Sequence, residues 1–186
     1  MKYILIIIGL LVILFISFFL LAFLLRVPLC RGKIPIESMR EYAMFLFPPK
    51  DIYENRLEKR IDVTSTGKVQ DFKFSIRYIG PYDVSIIFDE LPDDFWEKHK
   101  NHSLKLSIRI DFYKDEQLLI SKIAPDDPIE KKHALWRGYI HCVFNSPEEI
   151  PTDMDIICKV TILSADELLN ENCTGARLTI SKLSEE

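Results

Sequence analysis

Three hydropathy patterns follow one another along the chain. Residues 3–25 carry no charge and are interrupted only by Gly9 and Ser17. As a helix that run measures roughly 34 Å, enough to cross a hydrocarbon core with some tilt. A helix buried in a soluble fold shows a polar stripe, and this run has none. Between residues 31 and 50 the pattern becomes that of a short amphipathic helix. Ser38 followed by Glu41 reads as a capping box, in which hydroxyl and carboxylate each satisfy a free backbone N–H. Met39, Tyr42, Ala43 and Leu46 then share one face, and Pro48-Pro49 ends the helix. If this helix lies in the bilayer interface, Phe45 and Phe47 dip into the headgroup region. The alternative is that the same face packs on the domain behind it.

From about Arg60 the period changes to two. Phe72, Phe74, Ile76 and Tyr78 alternate with Lys73, Ser75 and Arg77, and Tyr82, Val84, Ile86 and Phe88 repeat the pattern after a Gly80-Pro81 turn. Leu104, Leu106, Ile108, Ile110 and Phe112 alternate with polar residues in the same way. Such segments predict half-buried strands. Shorter strands are expected at residues 118–123, 138–144, 156–163 and 177–182, with a weak first strand at 61–64. Two helical turns interrupt them: residues 92–100, capped by Asp93 or Asp94, and a Ser164/Glu167 capping box ahead of Leu168 and Leu169. The pattern predicts an all-β domain, an antiparallel β-sandwich of immunoglobulin-like or alternatively jelly-roll type. The expected organisation is a transmembrane anchor at residues 1–30, a juxtamembrane connector at 31–58 and the sandwich at 59–186.

Charge divides the chain. The net charge of −4 combines +4 in residues 1–40 with −8 in the remainder. An acidic domain is repelled by phosphate backbones, so nucleic acid is not an expected partner, whereas a basic protein is favoured. The apolar run is too long for a cleaved signal, and residues 24–27 offer no small-residue cleavage site. Leu29 stands before Cys30 where a lipoprotein signal favours Gly or Ala, so an uncleaved anchor is expected. Counting Lys2 against Arg26, Arg31, Lys33 and Arg40 keeps the domain in the cytoplasm. A basic start followed at once by a long apolar run is the layout of a signal-anchor. The expectation adopted is a single-pass membrane protein, its domain extracytoplasmic.

Cys142 and Cys158 fall on consecutive expected strands. A hairpin that opposes them also opposes Ile140 to Val160 and Phe144 to Ile156, placing three apolar pairs on one face. That register permits a Cys142–Cys158 disulfide; two free thiols acting as small core residues are the alternative. Zinc-ligand spacing is absent. His99 and His102 lack a nearby third ligand, and Asp93-Asp94, Asp126-Asp127 and Glu148-Glu149 suit turns and caps better than catalysis. No cofactor or metal is expected. Phe95, Trp96 and Trp136 sit at element ends, where exposed rings anchor a protein or glycan and buried ones plug the sandwich.

The alternating strands at residues 74–78 and 104–112, with the closing segments at 156–160 and 176–180, resemble an uncharacterised bacterial family of membrane-anchored immunoglobulin-like domain proteins. The resemblance spans residues 61–183 and brings no activity and no functional residues. The expected function is a non-enzymatic, membrane-anchored module that binds a protein partner. The alternatives are an immunity or inhibitor protein against a toxin, and a hydrolase whose carboxylates and histidines converge only in three dimensions.

Overall fold

A computed structural model describes residues 2–89, 91–92, 95–98, 105–124, 139–173 and 175–183. The chain forms two compact units, Met1–Ile52 and Tyr53–Glu186. In the first, α1 (Lys2–Cys30) is long and apolar enough to span a membrane. It extends past the expected residue 25 because its end is closed by a Schellman motif. Gly32, at φ 71°, turns left-handed so that Lys33 N–H donates to the Pro28 carbonyl and Gly32 N–H to that of Leu29. Pro28 is tolerated because it sits in the last turn and costs one helical hydrogen bond.

A second helix, α2 (Glu37–Leu46), doubles back along the end of α1. Met39 and Ala43 bury themselves against Ala22 and Leu29, with Leu25 and Ile34 alongside. Edge-on ring pairs extend this contact: Tyr42 on Phe18, and Phe47 on Phe19 and Phe23. The expected capping box does not form. Ile36 occupies the cap without a side-chain bond, because the helix begins at Glu37 and carries Ser38 inside its first turn.

Among its described residues, the second unit contains eight strands in two antiparallel sheets. They are β1 (Leu57–Ile61), β2 (Val69–Ser75), β3 (Gly80–Asp89), β4 (Ser107–Lys114), β5 (Gln117–Ala124), β6 (Tyr139–Ser146), β7 (Asp155–Ser164) and β8 (Gly175–Lys182). One sheet has the order β1-β8-β3-β6, the other β2-β7-β4-β5. Among the described strands, sequence neighbours pair only in the β4–β5 hairpin, and every other connection between consecutive strands passes from one sheet to the other. Among the described residues, two short helices lie between strands: α3 (Phe95–Lys98) and α4 (Glu167–Asn172).

The inward residues of both sheets fill one core. Tyr82 and Phe144, from the first sheet, stack at 5.5 Å, and Phe144 meets Phe112 of the second sheet at 5.1 Å. Phe74 continues the chain of rings on Phe112. Ile86, Ile108, Ile110, Val160 and Ile180 surround them, fully buried. Each such side chain contributes about 1.5–3 kcal/mol through burial. The Tyr82 hydroxyl, carried into this core, donates to the Tyr78 carbonyl at 2.9 Å.

Several expectations require correction. The first strand is Leu57–Ile61, and the stretch after it is a loop. Gly80 and Pro81 begin β3, where Pro81 opposes Asn145, while Ile76 and Tyr78 stay buried beyond the end of β2. Ser164 ends β7 and its hydroxyl donates to the Lys105 carbonyl. The cap of α4 is Asp166, whose carboxylate accepts from Leu169 N–H at 3.1 Å and Lys105 N–H at 2.8 Å. A cap of this kind is worth about 1 kcal/mol. The expected Cys142–Cys158 hairpin is absent, since β6 and β7 belong to different sheets. Cys142 opposes Val84, and Cys158 lies between Phe72 and Phe112. Neither is in a disulfide, and both are buried. Burial raises the Cys158 thiol, with the neighbouring Cys142 as the next cause.

Candidate functional site

The crossover from β1 to β2 builds a cleft on the sandwich. After Ile61 the strand stops because Asp62 turns the chain: its carboxylate accepts from the Thr64 amide at 2.9 Å and the Thr64 hydroxyl at 2.6 Å. Lys68 pairs with the other carboxylate oxygen. Gln70, on β2, clamps the Asp62 backbone, accepting from its N–H and donating to its carbonyl, each at 2.9 Å. Gly67 adopts φ 82°, which lets its amide reach the Ile162 carbonyl. Helix α4 closes the opposite side, with the Asn170 amide donating to the Thr64 carbonyl at 3.0 Å.

These elements enclose about 440 Å³ between Ile61, Val63 and Leu169 below and Arg60, Thr64 and Asn170 around the rim. Arg60 lies flat beside Gly175, where a Cβ would stand 2.8 Å from its guanidinium. Across the strands Arg60 opposes Arg177, whose charge is met by Glu58 at 2.9 Å and Asp89 at 2.7 Å. Cys173 also lines the cleft, donating to the Gly175 and Asp89 carbonyls. Burial raises its thiol above the usual value, the opposite of what a nucleophile needs. Asn170 Oδ1 is buried without a hydrogen-bond partner among the described residues. A cleft of this size with an apolar floor and a few polar groups has the makeup of a recognition site.

Phe95, whose side chain is the one described among the residues singled out from sequence for partner contact, does not line this cleft. Phe95 is 2% exposed and belongs to the core, because α3 turns its first side chain inward; it is not a surface contact. The Trp96 side chain and all of Trp136 lie outside the described residues, as do His99, His102, Asp93-Asp94 and Asp126-Asp127. Glu149 pairs with Lys122 and accepts from the Asn145 amide, a structural tie within the sandwich. Among the described residues, no three His, Cys, Asp or Glu side chains gather to hold a metal. Of the interface candidates, Met39 is buried against α1, Phe47 is half-buried, and Tyr42, Phe45 and Leu46 are exposed. The cleft residues carried one weak signal in sequence, Asp62 followed by the hydroxyl-rich run Thr64-Ser65-Thr66.

No protein-family model matches the chain, and no curated protein matches it. Among solved structures, a crystal structure of a protein from Sulfurospirillum deleyianum is similar with a TM-score of 0.46 at 9% identity, covering 69% of this chain and 98% of its own. A family GH115 4-O-methyl-α-glucuronidase with specificity for decorated arabinogalactans is similar with a TM-score of 0.36 at 12% identity. That likeness covers 68% of this chain and 14% of the enzyme.

Proposed function

We propose that this chain is a membrane-anchored β-sandwich module that binds a protein partner and performs no catalysis itself. In this reading residues 3–25 enter a bacterial inner membrane and the sandwich works on the extracytoplasmic side. The cleft carries the binding reading. Its floor at Ile61 and Leu169 suits an apolar group, and the buried, unmatched Asn170 Oδ1 suits an N–H or O–H donor. A partner side chain with both features satisfies the site. The acidic balance of residues 41–186 favours a basic partner, which also supports an immunity or inhibitor role.

We read the sandwich as a jelly roll in preference to an immunoglobulin-like fold. Supporting this, β1-β8-β3-β6 against β2-β7-β4-β5 interleaves two Greek keys. An immunoglobulin sandwich groups strands 1-2-5-4 against 3-6-7 instead. The proposed kinship with the bacterial family of anchored domains rests on strand alternation alone.

The test installs a photo-crosslinking residue at Ser65, beside the rim, in the full-length protein within intact cells. The reading expects one discrete protein adduct that disappears when Arg60→Glu is added without change in circular dichroism. Absence of an adduct, or one indifferent to Arg60→Glu, overturns it.

A further inference from the structure

We infer that α2 is a wedge at the bilayer boundary: its C-terminal turn enters the lipid hydrocarbon beside α1 while its first turn remains among the headgroups. This rests on α1 crossing a membrane, as proposed above. It places the hydrocarbon edge near Ala22 and leaves the last turns of α1 outside.

Length gives the first argument. At 29 residues α1 measures about 44 Å, against a hydrocarbon core of about 30 Å. With Lys2 at one boundary, about 20 residues fill the core, and the far boundary falls at about residue 22. Accessibility changes at the same level. From Tyr3 to Ile16 the described side chains are exposed around the whole helix, as lipid-facing residues are. Beyond Phe18 one face is covered by α2, and Ala22 retains 2% exposure.

Polarity along α2 gives an independent argument. Its first half carries Glu37, Arg40 and Glu41, and Arg40 pairs with Glu37 at 3.3 Å. Its second half presents Tyr42, Phe45 and Leu46 outward, with Phe45 85% exposed. Because α2 doubles back, the apolar end points toward the lipid-facing part of α1, where Phe47 meets Phe19. The charged end points the other way. A gradient along the axis suits a helix that crosses the boundary; a helix lying flat on a bilayer divides its polarity between faces. Between Phe47 and α1 is an apolar groove of about 330 Å³ lined by Phe15, Ile16, Phe19, Leu20 and Phe23. At that depth acyl chains fill it. Just beyond, the Arg26 guanidinium sits 4.2 Å over the Phe23 ring, an arrangement suited to the headgroup layer.

The experiment uses full-length protein in vesicles of phosphatidylcholine and phosphatidylglycerol. p-Benzoylphenylalanine replaces Val12, Phe45 or Glu37, one at a time, and mass spectrometry locates adducts on lipid acyl chains after irradiation. The wedge expects acyl-chain adducts from positions 12 and 45 and none from 37. Adducts from 12 without 45 overturn the wedge and leave the span standing. No adduct from 12 overturns the span and the wedge with it. Adducts from 37 as well overturn the boundary, because the whole of α2 is then immersed.

Discussion

Asp62 binds Lys68 and Thr64 at once, and these bonds, that with Lys68 foremost, hold its carboxyl down to about 2 from an ordinary 3.8. The unfolded chain therefore takes up this proton more readily than the folded one. The stability Asp62 provides is complete above about pH 4, falls as the pH drops toward 2 and is gone below it. Comparing urea midpoints of the parent protein and Asp62→Asn across that window should show the gap closing with acid. Parallel curves would contradict the pairing. An Asp two residues before a Thr is a legible turn signal. Here the alternation of Ile61 and Val63 around Asp62 pointed to a strand instead, and local hydrogen bonding prevailed over periodicity. Asn170 had no comparable signal, because its burial depends on a loop more than a hundred residues away in sequence.

At the scale of elements, strand alternation correctly marked which side chains face inward. Ile108, Ile110 and Phe112 are all fully buried, as their spacing indicated. It said nothing of which strand pairs with which. Cys142 and Cys158 show the difference: both face the core as expected, but from opposite sheets. The β4–β5 hairpin was hidden for another reason. Its turn is Asp115-Glu116, with φ of 46° and 69°, where a sequence signal would be Asn-Gly. A side chain at that φ is strained, so Glu116→Gly should raise stability by about 1 kcal/mol in chemical denaturation. An unchanged or lower midpoint would show that the left-handed turn is not under strain. The start of α2 was misplaced by two residues because Ser38 and Glu41 have cap spacing but no cap geometry.

For the whole molecule, the buried residues of the sandwich core, among those described, run from Leu57 to Ile180. A fragment comprising residues 53–186 should accordingly fold without the anchor. Far-ultraviolet circular dichroism should be β-rich and thermal unfolding cooperative, with about 5–15 kcal/mol of stability. A fragment lacking a cooperative transition would mean the core needs the preceding helices. The sequence by itself determined the apolar helix, the short helix after it and the inward faces of the strands. Those follow from local periodicity, since a side chain's burial repeats with the pitch of its own element. Tertiary structure alone decided the sheet order, the partners of Cys142 and Cys158, the return of α2 along α1 and the cleft beneath Asn170. Each of these is a contact between segments distant in sequence, selected by how buried surfaces fit together, and no local pattern encodes that fit.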